Sequence, residues 1–145
     1  MATIKFGTDG WRARIAEDFT FANVEIAAQA VADYVKANTQ NAQPAMLVGY
    51  DRRFASDAFA RRTAEVFAGN AIAVDLLNED VPTPLVSFEV KRRGLDGFIV
   101  PRQDEFQGEY VAPYAERLLS MIAESGPRIF AQKGPLFRGV EGHAD

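Results

Sequence analysis

Gly97-Phe98-Ile99-Val100-Pro101-Arg102-Gln103-Asp104-Glu105-Phe106-Gln107-Gly108 is the stretch on which the fold and the function both turn. Gly97 to Val100 is a short apolar run, the pattern of a strand covered on both faces. Pro101 has no N–H to give a ladder and is expected to end that strand. Arg102 to Gly108 then reads as a polar loop. In open α/β sheets, ligands bind beyond the carboxyl ends of the strands. This loop is therefore where chemistry is expected, and Asp104 and Glu105 are its paired carboxylates, a pair that solvation alone can explain.

Upstream, strand and helix patterns alternate. Ala45 to Tyr50 is a second near-continuous apolar strand, and Ile72 to Leu77 a third. Between them lie helical periodicities. Thr20 is placed to cap a helix over residues 21–38, with Val24, Ala27, Ala28, Val31, Tyr34 and Val35 recurring at helical spacing. Ser56 is placed to cap the next, with Phe59, Thr63, Val66 and Phe67 inward and Gly69 at its end. Thr83 followed by Pro84 opens a third helix. It runs to Arg93, with Leu85, Phe88 and Val86 as its inward residues. Lys91, Arg92 and Arg93 suit the negative end of its dipole, and Gly94 stops it.

At the front of the chain, residues 4–16 read as a hairpin-like entry. Ile4 to Phe6 is followed by the Gly7-Thr8-Asp9-Gly10 turn, and Trp11 to Ala16 alternates apolar with charged residues. At the back, Tyr110-Val111 reads as a brief strand. Pro113 starts a last helix with Leu118, Leu119 and Ile122 inward, and residues 126–145 read as an irregular tail with Ile129, Phe130, Leu136 and Phe137 as docking residues. The expected fold is one α/β domain over 1–145, three layers in αβα order, with a mixed, mostly parallel sheet. The first two strands are too close for a crossover and are expected to pair antiparallel.

Composition narrows the function. The 145 residues carry a net charge of -4, no cysteine and one histidine, His143. Thiolate metal sites and disulfides are excluded, and a multi-histidine centre is not available. A nucleic-acid partner would call for a basic face, which the acidic balance disfavours. No apolar run reaches the ~20 residues that span a bilayer, and the first residues lack the apolar core of a signal peptide. No membrane partner and a cytoplasmic location are the expectations.

The richest polar cluster is Gly7-Thr8-Asp9-Gly10-Trp11-Arg12. A glycine-rich turn beside an arginine can hold a phosphate, or can simply be a turn. It is neither a P-loop nor a dinucleotide fingerprint. Trp11 reads as a packing anchor or as a stacking platform for substrate. Asp51-Arg52-Arg53 sits at a strand's carboxyl end, as an active-site loop or as a salt-bridged turn.

Taken together these residues resemble a known family. Phe6 to Arg12, Ile15 to Thr20 with Asn23-Val24, Val48 to Asp51 with Arg53-Phe54, Ala68-Gly69-Asn70, and Pro82-Thr83-Pro84 with Ser87-Phe88 follow, in order, the first domain of the α-D-phosphohexomutases, which include phosphoglucomutase and phosphomannomutase. The resemblance is strong over residues 3–100 and looser to about 124. It implies domain I of a four-domain enzyme that carries phosphate on a serine and moves it between two oxygens of a hexose. It makes Gly7, Thr8, Asp9, Gly10, Arg12 and Arg53 the candidate phosphate or sugar-phosphate residues.

The same resemblance fails at the deciding place. After a strand like Gly97–Val100 the family has a Thr-Ala-Ser-His-Asn-Pro type loop. Here Pro101-Arg102-Gln103-Asp104 stands instead, and Glu105 to Gly108 rejoins the family pattern. The loop is shorter by a few residues and holds no serine, threonine or histidine. Tyr110 stands where the family places a proton-transferring lysine. The family's magnesium loop belongs to another domain, so no cofactor is expected. The implied state is a stand-alone domain, inactive by itself, with hexose phosphate, a second copy or another protein chain as the remaining partners. The alternative is one fragment or subunit of a sugar-phosphate mutase, an intramolecular phosphotransferase, completed in trans.

Overall fold

A computed structural model describes residues 4–6, 10–102, 105–107 and 137–140. The described elements are β1 (Gly10–Arg12), α1 (Phe21–Asn38), β2 (Ala45–Val48), α2 (Ser56–Gly69), β3 (Ala73–Leu77), α3 (Thr83–Arg93), β4 (Gly97–Arg102), β5 (Glu105–Gln107) and β6 (Phe137–Val140). They form one sheet in the order β1-β5-β4-β2-β3-β6. β4, β2, β3 and β6 run parallel, whereas β5 is antiparallel to both β4 and β1. The expected mixed, mostly parallel sheet between helices is what the chain forms.

The alternation of side chains along each strand divides the core. Met46, Val48, Val74, Leu76 and Ile99 join the buried residues of α1 and α2 on one face. Leu47, Phe98 and Val100 meet Val86 and Val90 of α3 on the other. Trp11 is 2% exposed and belongs to the first cluster, stacked on Phe19 with ring centroids 5.0 Å apart. Phe19 in turn meets the edge of Phe59 at 4.9 Å. Trp11 is thus the packing anchor of the two readings open to it.

α1 begins and ends where its periodicity says, with Thr20 Oγ1 accepting the Asn23 N–H at 3.3 Å. Its contact with α2 contains a buried polar pair. Gln29 and Asn70 exchange two amide hydrogen bonds, of 2.9 and 2.8 Å, and Gln29 also donates to Asp33 Oδ1. Buried amides that satisfy each other avoid the desolvation cost of unpaired ones.

Several expectations need correction. Pro101 does not end β4: the strand continues to Arg102, with Pro101 opposite Phe106 of β5. Proline is tolerated because β2 pairs with β4 only through Ile99, so a Pro101 N–H would have met no strand on that side. Leu85 and Phe88 are 47% and 59% exposed, and Val86 with Val90 is the inner stripe of α3. Helical spacing fits both stripes. The one chosen is set by where the chain enters, through Val81 N–H to Tyr50 C=O and Leu85 N–H to Pro82 C=O.

α3 starts at Thr83 itself, after Pro82 and without a side-chain cap bond. Gly69 ends α2 as expected, and Ala71 beyond it takes the left-handed backbone (φ 60). Of the alternating run Trp11–Ala16, only Trp11 and Arg12 lie in a strand; Ile15 returns to bridge Phe19. Phe6 bridges Trp11 antiparallel, as the hairpin-like entry requires. Within the tail expected to be irregular, β6 pairs parallel with β3 and satisfies that strand's outer edge. Tyr110-Val111, the helix from Pro113, and Ile129, Phe130 and Leu136 lie outside the described residues.

Replacing Asn70 by alanine removes both of the bonds it exchanges with the buried Gln29 amide. The expected cost is about 2 kcal/mol, read as a lower urea midpoint with unchanged slope.

Candidate functional site

The carboxyl end of the sheet is assembled from three pieces of chain. The first follows β2. Gly49 N–H extends the ladder to Ile99 C=O at 3.0 Å. A Cβ on Gly49 would stand 3.0 Å from a Val86 methyl, so the sheet and α3 approach closely here. Asp51 then folds the chain back: its Oδ1 accepts the Arg53 N–H at 3.0 Å, the turn that short acidic side chains favour. Its Oδ2 lies 3.5 Å from Arg53 Nε.

The loop closes on Ser56. This residue does not cap α2; Ala55 occupies the cap position in a left-handed conformation (φ 57) with no side-chain bond. Ser56 is fully buried, and its Oγ accepts the Asp51 N–H at 3.2 Å while donating to the Pro101 C=O at 2.8 Å. The Ser56 N–H also returns to Arg53 C=O at 3.2 Å. One hydroxyl therefore fixes the loop after β2 to the end of β4. No sequence signal marks it, because its acceptor lies forty-five residues away.

The second piece is the β4–β5 pair. Val100 stands opposite Gln107, Pro101 opposite Phe106 and Arg102 opposite Glu105. The third is β1, whose Gly10, Trp11 and Arg12 pair with Gln107, Phe106 and Glu105. Gly10 has φ 147 and is buried, a backbone state open to glycine. Two antiparallel steps restore direction, so β1 runs with β4. Arg12 thus ends its strand at the same edge of the sheet as Arg102 and the 51–56 loop. Of the candidate residues, Arg12 and Arg53 are placed at this edge, and Gly10 begins β1 two residues before it. Gly7, Thr8, Asp9, Gln103 and Asp104 lie outside the described residues.

The Asp51-Arg52-Arg53 segment is salt-bridged and also sits at the strand end. Arg52 Nε contacts Asp80 Oδ2 at 2.7 Å, and this partner raises the Arg52 pKa. Tyr50 titrates above its ordinary value, chiefly from burial and then from the charges of Asp57, Asp80 and Glu79. Elsewhere, the bond from Arg92 holds Glu89 below the usual carboxylate range. Among the described residues no three His, Cys, Asp or Glu side chains gather as metal ligands. No helix among the described residues is long and apolar enough to cross a membrane.

Ser56→Ala removes a bond from both Asp51 N–H and Pro101 C=O. The expected loss is about 1–3 kcal/mol, with amide shifts at both ends of the bridge in a two-dimensional NMR spectrum. The raised Tyr50 pKa also predicts a pH effect. The unfolded phenol ionises near pH ~10, while the folded one still holds its proton. Between those values the unfolded state binds fewer protons, so stability falls as pH rises through that window. Tyr50→Phe should flatten this part of the pH–stability curve.

Comparison with known proteins matches the described architecture. The family model for phosphoglucomutase/phosphomannomutase, alpha/beta/alpha domain I, matches residues 3–101. A protein named phosphoribomutase from Saccharomyces cerevisiae is 39% identical over 95 residues, which is 61% of this chain and 15% of that one. A protein named "Probable phosphomannomutase" from Haemophilus influenzae is 38% identical over 68 residues, 47% of this chain and 14% of that one. A solved structure from Thermus thermophilus, described as a putative phosphomannomutase, superposes with a TM-score of 0.71 at 32% identity. It covers 97% of this chain, which spans 33% of it. The chain is thus a small fraction of the length of these relatives. The matched residues run from Thr3 to Pro101, from ahead of β1 into β4, and this chain belongs to the phosphoglucomutase/phosphomannomutase family as its α/β/α domain I.

Proposed function

We propose that this domain carries no phosphate covalently and is catalytically inactive by itself. It keeps an anion-binding corner at the Gly7–Arg12 segment and Arg53, suited to a hexose phosphate, and works by docking onto another protein chain. One observation carries this reading. β4 passes into β5 with Arg102 opposite Glu105, so only Gln103 and Asp104 separate the paired strands. No serine, threonine or histidine occurs from Gly97 to Gly108. Covalent phosphoryl transfer needs a nucleophile activated by a base, with cations to offset the charge. The corner supplies Arg12 and Arg53, whose guanidinium groups suit an anion and do not attack it.

Exposed apolar side chains support the docking part of the proposal. Phe54 is 74% exposed, beside Arg53 on the closed loop, and Leu85 and Phe88 project from α3. Aromatic surface of this kind favours a protein contact. A second copy of the chain or the remaining mutase domains on a separate chain would both satisfy it.

Incubation with glucose 1,6-bisphosphate should add no phosphoryl group to the protein by intact mass spectrometry. A hexose phosphate titration should shift the Trp11 backbone amide. An acid-stable phosphoryl adduct would defeat the inactive reading. Turnover of mannose 1-phosphate on mixing with the other mutase domains would establish completion in trans instead.

A further inference from the structure

Among the described residues, three alanines take a left-handed backbone: Ala16 (φ 65), Ala55 (φ 57) and Ala71 (φ 60). A Cβ makes that conformation costly, and apart from glycine only asparagine and aspartate enter it readily. Ala71 lies just beyond the C-terminus of α2, where a left-handed residue commonly closes a helix. Ala55 has no such reason. It stands at the opposite end of α2, in the cap position, where the backbone is ordinarily extended and a side-chain oxygen accepts a helix N–H. Here the cap residue is left-handed and makes no side-chain bond. Strain of this kind persists where the surrounding structure over-determines it.

The neighbouring residue supplies the restraint. Ser56 is fully buried, and its one hydroxyl is held from two sides, accepting the Asp51 N–H at 3.2 Å and donating to the Pro101 C=O at 2.8 Å. Its own N–H bonds the Arg53 C=O at 3.2 Å and closes the turn in which Ala55 lies. Asp51 Oδ1 fixes the other side of that turn at the Arg53 N–H. The chain from Asp51 to Ala55 must fit between these fixed points, and it does so with Ala55 bent the costly way. We infer that Ser56 and Ala55 form a latch between the end of β4 and the 51–56 loop. The Ser56 hydroxyl holds the strain, and its release returns Ala55 to a right-handed backbone, so that α2 begins one residue earlier. Arg53 and Phe54 directly precede Ala55 and move when it does. In the latched state Phe54 is 74% exposed and Arg53 lies against Asp51. A displacement at the end of β4 thus reaches an exposed aromatic ring through one hydrogen bond.

The competing reading is that the Ala55 methyl holds the conformation by packing against the core of α1 and α2. Urea unfolding of the full chain separates the two through a double-mutant cycle. Ala55→Gly removes the cost of the Cβ and should raise the folding equilibrium constant about fivefold in the wild-type background. Combined with Ser56→Ala, where the loop has already relaxed, the same change should bring no gain, since glycine there relieves no strain. Ala71→Gly, at an exposed position outside the tether, is the control and should gain equally in both backgrounds. The Cα and Cβ chemical shifts of Ala55 read the latch directly: left-handed in the wild type, helical in Ser56→Ala. Ser56→Cys, of similar size and a weaker donor, takes its place if the alanine variant does not fold. Ala55 shifts that stay left-handed without the hydroxyl, or an equal gain from Ala55→Gly in both backgrounds, would overturn the latch. A loss of stability from Ala55→Gly in the wild-type background would overturn it too, and would assign the conformation to packing of the methyl.

Discussion

β2 is paired on both sides and covered on both faces, so every main-chain polar group it owns must be met inside the protein. β4 and β3 meet those along its length. At its start, Asp96 acts as a clamp: its carboxylate accepts the Ala45 N–H at 2.8 Å and side-chain bonds from Thr39 and Asn41. That gathers the end of α1, the start of β2 and the approach to β4 at one group. At its other end, Ser56 ties the outgoing loop to β4. The central strand is thus held at both ends by polar side chains that reach across to β4 or to the loop before it. The alignment of everything at the carboxyl edge follows from these two tethers.

The sheet changes character as it is crossed. β2 and β3 are interior strands whose two faces are both apolar, apart from Asp75, which is buried and paired with Arg93 of α3. At the edge formed by β1, Trp11 is buried on the face of α1 and α2, while the next residue, Arg12, is exposed.

Much of this was readable from the chain alone. α1 is marked by Thr20 and an unbroken helical period, and β2 by an apolar run that only a doubly covered strand explains. The features that escaped depend on distant neighbours. Pro101 is a breaker only if its missing N–H would have faced a strand, and β2 stops short of it. Leu85 and Phe88 lose the inside of α3 to Val86 and Val90 because the helix is rotated by its entry, not by its composition. Ser56 precedes a helical pattern and so imitates a cap, yet its hydroxyl serves β4. At the site, the sequence places Arg12 and Arg53 near strand ends. That these are ends of the same sheet edge follows only from the antiparallel insertion of β5.

The β4–β5 register has one more consequence, which concerns loop length. A segment held by three successive pairs, Val100–Gln107, Pro101–Phe106 and Arg102–Glu105, offers only two intervening positions to mutation. Lengthening it requires inserted residues, and an insertion within the pairs would also disturb β1, which pairs with β5. Loop length in this domain is therefore stored in the hydrogen-bonded register of three strands.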